Sequence, residues 1–251
     1  MAPLHVGERR TAISVGPAAV TWLASWLVGN LLASFVVGAS GETAGEVDTP
    51  VWLTASTALA LWAPMLVALH QVSRRCGLGT FREDFALRFR PIDALGIPIG
   101  VVCQLLLLRA VYWPLEGVWP DAFSNDRLEE SARTLVDSAD GVWFAVLAVV
   151  VVIGAPVVEE LMYRGLLQGA FVRSIHPTAA VLVVAAWFAL IHFRPVEYPG
   201  LFAFGLVLGV CALRTRRLGM SVAAHVGFNA TGLALVAFDP SIVGVWTIPG
   251  V

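Results

Sequence analysis

Two neighbouring carboxylates and an arginine, Glu159, Glu160 and Arg164, interrupt an otherwise apolar part of the sequence. They follow a run, residues 144–158, that has no polar side chain and is typical of a membrane-spanning helix. An ionisable side chain at bilayer depth costs about 2.5–3.5 kcal/mol on insertion scales, so such residues usually have a function. Two carboxylates side by side therefore indicate chemistry inside the membrane.

Three more polar residues, His192, His225 and Asn229, interrupt the apolar segments that follow. His225 and Asn229 are four apart and share one face of a helix. A carboxylate with an imidazole can polarise a water molecule as a general base. A histidine and an asparagine can donate hydrogen bonds to a developing oxyanion. The combination predicts hydrolysis of an amide bond without a serine or cysteine nucleophile.

The two glutamates point about 100° apart on a helix, so they need not share a role. Glu160 shares a face with Arg164, and Glu159 shares a face with Tyr163. For Glu160 and Arg164, the simpler interpretation is a buried ion pair that fixes the position of the helix. Tyr163 is interpreted as a structural partner for a buried polar group.

The composition places these residues in an integral membrane protein. Of 251 residues, 58% are hydrophobic and only 14% are charged, and the mean hydropathy is +0.79, whereas a soluble domain carries about 25% charged residues. The net charge of -2 and the lack of a basic stripe argue against a nucleic-acid partner. The cysteines Cys76, Cys103 and Cys211 have no CxxC spacing and are predicted to be free thiols.

The apolar runs predict an all-α fold, a polytopic membrane bundle of about seven to eight transmembrane helices with the polar site inside. Seven spans are expected, at about 15–37, 51–72, 92–113, 142–173, 178–193, 201–213 and 220–238. A short surface helix is expected within 114–140, and an eighth element at 241–251 stays open. The chain is predicted to form one domain over 1–251. It has N-terminal helices and an acidic loop in 1–140 and a catalytic core in 141–238.

Arginine bias predicts the orientation. Placing the N-terminus in the cytoplasm puts Arg9, the basic loop 74–90, Arg173 and the cluster 214–217 on that side. The acidic loops then lie outside. The absence of lysine and the Ala/Val/Gly bias are typical of a GC-rich bacterial genome, so a bacterial plasma membrane is the expected location.

The expected depths of these polar residues in the membrane support one shared site. Glu159 precedes Arg173 by about fourteen residues, roughly 21 Å, and His192 follows Pro177 by about fifteen, roughly 22 Å. Asn229 lies roughly 16 Å past the preceding turn. The polar residues are therefore predicted to converge on one layer of the bundle.

The residues quoted above resemble the three signature motifs of the CPBP family, which comprises the CAAX prenyl endopeptidases (Rce1-type) and bacterial relatives also called ABI proteins. The motifs are Glu159-Glu160-x-x-x-Arg164, Phe188-x-x-x-His192 and His225-x-x-x-Asn229, in the family's order on successive helices. The resemblance covers about the C-terminal half of the chain.

The resemblance implies that Glu159 and His192 activate the attacking water and that His225 and Asn229 form the oxyanion hole. It implies no metal cofactor, and it implies a glutamic endopeptidase that removes a C-terminal tripeptide from prenylated CAAX proteins. The expected partners are the lipid bilayer and a peptide or protein substrate, with or without a prenyl group.

Three other functions stay open at this point. Glu159, His192 and His225 could ligate zinc as a His2Glu site of an intramembrane protease, although no HExxH motif is present. The chain could be a non-catalytic membrane scaffold or self-immunity protein of the same family, with His225 and Asn229 serving only to join helices. A proton-coupled transporter would also use buried Glu and His, but the expected inverted repeats are not apparent.

Overall fold

The computed structural model describes residues 13–42, 49–123 and 133–238 of the chain. Within these ranges the regular secondary structure is entirely helical and contains no strand, which confirms the all-α prediction. The main helices are α1 (Val15–Ser40), α2 (Val51–Cys76), α3 (Pro91–Val118), α4 (Val142–Phe171), α5 (Pro177–Leu190), α6 (Pro195–Thr215) and α7 (Gly219–Phe238). A short helix, Phe81–Asp84, lies between α2 and α3, and residues 133–137 are also helical.

Among the described residues, six helices are long and apolar enough to cross a membrane, all except α5. Helix α5 has 14 residues and is about 21 Å long, short of the roughly 30 Å hydrocarbon core. The predicted fifth span, 178–193, is therefore a shorter helix. It ends early because Phe193 adopts φ 54° and Pro195 disfavours helical backbone at Arg194, which is extended at φ -121°.

Several sequence predictions fall outside the described residues. The proposed eighth element at 241–251 is one, and Arg9 is another. Of the surface helix expected within 114–140, residues 133–137 are helical and 124–132 are not described. The cytoplasmic placement of the N-terminus stays a prediction, since length and composition of the helices do not orient them.

Small residues bring the helices together. A Cβ built on Gly29 of α1 would lie 2.8 Å from the Leu61 carbonyl oxygen of α2, and one on Gly205 of α6 would lie 3.2 Å from Ala185 of α5. Lipid tails are as apolar as the side chains, so helices in a membrane associate through such close packing. These contacts set two of the helix pairs that surround α4.

The closest helix pair joins α3 to α7. A Cβ on Gly100 would collide with the Ala224 carbonyl oxygen, and one on Gly227 would collide with the Ile97 carbonyl oxygen. Residue numbers rise together along the contact, so α3 and α7 run parallel. We call this contact the glycine seam (Gly96, Gly100 and Gly227). It packs an N-terminal helix directly against the helix that carries two of the predicted site residues.

A buried ion pair fixes the start of both helices. Asp93 at the beginning of α3 accepts two hydrogen bonds from Arg217, from Nη2 at 2.7 Å and Nε at 2.9 Å, and a third from the Arg90 amide at 2.8 Å. The hydrogen bonds that Arg217 donates to Asp93 raise the pKa of the guanidinium above its ordinary value. The pair ties the turn between α6 and α7 to the start of α3.

Asp84 plays a comparable part at the end of α2. Its carboxylate is buried and accepts from Ser73 Oγ at 2.6 Å and from the amides of Leu78 and Gly79 at 2.7 and 3.0 Å. A carboxylate that accepts several backbone amides organises a loop. The arginine-rich loop is thus a folded connection, which its composition alone did not indicate.

Candidate active site

Helix α4 carries the glutamates on a short α-helical segment between two wider turns. Residues Ala155–Glu160 are α-helical, whereas Val149–Gly154 and Leu161–Gln168 are wound as π-helix. π-helical turns are rare and often lie at functional sites. The carboxylates therefore occupy the one regular turn between two irregular ones.

Glu160 is sealed inside the bundle in an ion pair with Arg164. Glu160 Oε1 lies 2.7 Å from Arg164 Nη1, and both side chains are 0% exposed. Arg164 Nη2 also donates to the Gly205 carbonyl of α6 at 3.3 Å. The predicted ion pair is confirmed. Both of its residues lie on α4, and the hydrogen bond from Arg164 to Gly205 also joins α4 to α6.

His225 of α7 lies between the two glutamates. Its Nδ1 is 3.0 Å from Glu160 Oε1, and its Nε2 is 3.8 Å from Glu159 Oε2. The Glu160 carboxylate only accepts, so Nδ1 carries the hydrogen of this bond. The Glu159 side chain is 27% exposed, whereas that of Glu160 is 0% exposed. Two adjacent carboxylates thus contact one imidazole from different environments, one open and one sealed.

The Phe188 ring lies at the centre of the site. Its centroid is 5.0 Å from the ring of His192, 5.9 Å from that of His225 and 5.2 Å from that of Tyr163. The Arg164 guanidinium lies over the same ring, with Cζ 4.5 Å from the centroid, a cation–π contact. Phe188 and Tyr163 are both buried.

His192 lies in the turn after α5 and not on a membrane-spanning helix, which corrects the span predicted for 178–193. Its Nδ1 is 2.7 Å from the Phe188 carbonyl oxygen. A carbonyl only accepts, so Nδ1 carries the hydrogen and the neutral imidazole keeps its lone pair on Nε2. In the described part of the chain, no hydrogen bond or ion pair joins His192 to Glu159.

Asn229 bonds to α4 rather than to the other motif residues. Its Nδ2 donates to the Val151 carbonyl at 2.8 Å. In the π-helical turn, the Ala155 amide donates to the Val150 carbonyl five residues back. The next bond in this register would run from residue 156 to Val151, but Pro156 has no N–H. Asn229 therefore supplies the donor that Pro156 lacks.

A polar stripe that the sequence patterns did not indicate continues from the site. Gln168 is buried, and its Nε2 donates to the Gly209 carbonyl of α6 at 2.9 Å. With Glu160 and Arg164 it forms an i, i+4, i+8 series on one face of α4. Gly209 on α6 leaves room for the glutamine, because a Cβ there would lie 2.9 Å from Gln168 Oε1.

Metal ligation is not supported by the side-chain positions. Over the described ranges, no three His, Cys, Asp or Glu side chains lie together as a metal site would need. The proposed zinc set of Glu159, His192 and His225 is thus not assembled. The three cysteines are free thiols, as predicted.

The described residues contain six candidate spans and a buried Glu–His–Arg cluster, which makes the protein an integral membrane protein with a polar centre. Residues 141–231 match the family described as type II CAAX prenyl endopeptidase, Rce1-like. This part of the chain is therefore similar to the Rce1-like domains of the CPBP family, which confirms the resemblance seen in the motifs. The matched family is one of endopeptidases.

One curated relative is an uncharacterized protein, YyaK, of Bacillus subtilis (strain 168). It is 27% identical over 157 residues, which cover 59% of this chain and 50% of the relative. The match thus spans about half the length of that relative. No solved structure matches the chain.

Proposed function

We propose that this protein is an intramembrane endopeptidase of the glutamic type. It would hydrolyse a peptide bond near the C-terminus of a lipidated, CAAX-like protein or of a membrane-embedded protein. The observation that carries this proposal is the contact of one imidazole, His225, with an open carboxylate, Glu159, and a sealed one, Glu160. The family match over residues 141–231 supports the same reaction class.

The open carboxylate is the proposed base. Glu159 would accept a proton from a water molecule as that water attacks the scissile carbonyl carbon. The Nε2 lone pair of His192, fixed by the bond from Nδ1 to the Phe188 carbonyl, would accept a hydrogen bond from the same water. The proton then passes to the leaving amine when the C–N bond breaks.

His225 and Asn229 are the proposed oxyanion donors. They are one helical turn apart, about 6 Å, so both can reach an oxygen placed between them. The Val151 carbonyl takes only one of the two N–H groups of the Asn229 amide. The second N–H remains for the oxyanion. His225 would donate from Nε2 as the imidazolium, whose charge balances Glu159 while Arg164 balances Glu160.

The substrate and location follow from the same proposal. A site on membrane-spanning helices favours a substrate that the bilayer presents, with or without a prenyl group, and a gap between helices would let it enter laterally. The proposed location is a bacterial plasma membrane with the N-terminus in the cytoplasm. A nucleic-acid partner is not part of the proposal.

A second candidate is a non-catalytic membrane scaffold of the same family. The interhelical hydrogen bonds of His225 to Glu160 and of Asn229 to Val151 favour it, because both side chains also serve to join helices. Only an activity measurement separates the two candidates.

The test is cleavage of a fluorogenic farnesylated CAAX peptide by detergent-purified protein, with and without a strong chelator. Wild type should cleave in both conditions. Glu159→Gln should lose about 10²–10⁴-fold in kcat, the usual contribution of a general base. Glu83→Gln, at an exposed glutamate of the arginine-rich loop, is the matched control and should cleave like wild type.

Three outcomes would contradict the proposal. Equal activity of Glu159→Gln and wild type would remove the assigned base. Activity lost with chelator and restored by zinc would replace the mechanism with a metal-dependent one. If neither the farnesylated peptide nor unlipidated membrane peptides are cleaved, the scaffold candidate is favoured.

A further inference from the structure

Gln104 is the first large side chain beyond the glycine seam. It lies four residues after Gly100 on α3 and therefore on the same face, towards α7. All three polar-end atoms of its side chain lie near Gly232 of α7: Nε2, Cδ and Oε1 are 3.4, 3.5 and 3.7 Å from the position of a Cβ there. The primary amide thus lies over a glycine of α7.

The Gln104 amide has no hydrogen-bond partner among the described residues, and its side chain is only partly buried. Two other side-chain amides of the bundle have main-chain partners, since Gln168 donates to Gly209 and Asn229 donates to Val151. An amide at bilayer depth without a partner is unfavourable. A polar group held in this way indicates a ligand or water that the protein itself does not supply.

The backbone at this position is also irregular. Cys103–Leu107 is wound as π-helix, and the Leu108 amide donates to the Cys103 carbonyl five residues back. The wider turn interrupts the regular four-residue spacing that Gly96 and Gly100 begin on α3. Helix α4 has π-helical turns beside its glutamates in the same way, and such turns are frequent at functional sites.

Gln104 lies beside the proposed site. Gly232, which it covers, follows Asn229 by three residues, so the two positions are about 60° apart around α7 and about 4.5 Å apart along it. A carbonyl oxygen held between His225 and Asn229 would therefore have the Gln104 amide as a neighbour on the side of α3.

We propose that Gln104 binds the main chain of the peptide substrate next to the scissile bond, an inference that rests on the proposed function. A primary amide has both donors and an acceptor, so it can pair with the N–H and C=O of one extended residue. This contact is the same in the ground state and in the transition state. It holds the substrate in place without changing the chemical step.

The first test compares Gln104→Met with wild type in peptide cleavage. KM should rise about three- to tenfold, as expected for one lost hydrogen bond, while kcat stays unchanged. The unfolding temperature should stay the same or rise, because methionine removes an unpaired amide and keeps the volume. Gln71→Met, at an exposed glutamine of α2, is the kinetic control and should leave KM unchanged.

Gln168→Met is the stability control, because Gln168 has a hydrogen-bond partner and Gln104 has none among the described residues. It removes the donor to the Gly209 carbonyl, so its unfolding temperature should fall. If Gln104→Met lowers the unfolding temperature as Gln168→Met does, the amide is structural and the inference is overturned. If Gln104→Met keeps both its stability and its wild-type KM, the amide only faces lipid and the inference is also overturned.

A peptide series gives a second, independent measurement. Main-chain N-methylation at single positions around the scissile bond removes one N–H at a time. One position should raise KM for wild type by the same factor as Gln104→Met, with no further rise when both changes are combined. Additive effects at every position would overturn the inference. Failure of wild type to cleave any peptide would instead remove the proposed function, and this inference with it.

Discussion

Glu159 and Glu160 are adjacent in sequence, yet burial gives them different properties. Glu160 is 0% exposed and contacts two basic side chains, Arg164 and His225, whereas Glu159 is 27% exposed and lies 3.8 Å from His225. A buried carboxylate with paired partners is costly to change. A partly exposed carboxylate is less constrained by its neighbours. Structural and chemical roles should therefore separate between the two.

Stability measurements can show this separation. Glu160→Gln should lower the free energy of unfolding in detergent by about 3–5 kcal/mol, because it leaves the Arg164 guanidinium buried without its counter-charge. Glu159→Gln should change it by less than about 1 kcal/mol. The double variant Glu160→Gln/Arg164→Met should recover part of the loss. Equal effects of the two single substitutions would contradict the assignment.

At the scale of the element, α4 depends on a bond from another helix. Pro156 leaves the Val151 carbonyl without its backbone donor, and Asn229 of α7 provides one. A motif residue thus closes a gap in the backbone of the glutamate helix. The structural contribution of Asn229 can therefore be measured separately from its proposed role as an oxyanion donor.

A double-mutant cycle makes this measurable. Asn229→Ala should lower the free energy of unfolding by about 1–3 kcal/mol, since the Val151 carbonyl loses its partner. In a Pro156→Ala background the amide of residue 156 can donate to the Val151 carbonyl, so Asn229→Ala should lower the free energy of unfolding by less. Peptide cleavage should be lost with Asn229→Ala in both backgrounds. A full stability effect in both would show that Val151 is not the relevant acceptor.

At the scale of the whole molecule, helices outside the family match complete the site. The glycine seam packs α3 against α7, and Asp93 pairs with Arg217 before α7 begins. From α1, Trp22 packs against Tyr163 and Trp187, at 6.1 and 5.0 Å between ring centroids. The matched region, 141–231, therefore has its interior faces covered by N-terminal helices.

This arrangement predicts that the matched region does not fold alone. Residues 131–251 expressed without the rest should aggregate or be degraded. The face of α7 that packs against α3 and the Tyr163 ring that packs against Trp22 would then be exposed. Co-expression with residues 1–130 should restore a monodisperse complex in detergent, measured by size exclusion and thermal unfolding. A stable, monodisperse 131–251 fragment would contradict the prediction.

Much of the architecture could be predicted from the sequence, because apolar runs of sufficient length must be helical in a membrane. The same holds for the ion pair of Glu160 with Arg164, whose spacing places them on one helix face. The length of α5 could not be predicted from hydropathy, because the apolar residues Ile191 and Phe193 follow Leu190. The backbone of Phe193 and the restriction from Pro195 ended that helix.

The sequence by itself determined the helical class, the membrane environment and the residues able to do chemistry, since these depend on residue type and local spacing. Only the tertiary structure decided which atoms meet. It placed His225 between the two glutamates, gave Asn229 the carbonyl that Pro156 left free, and set the Gln104 amide beside α7 without a partner. Contacts between distant segments depend on helix crossing and rotation, and no local pattern encodes these.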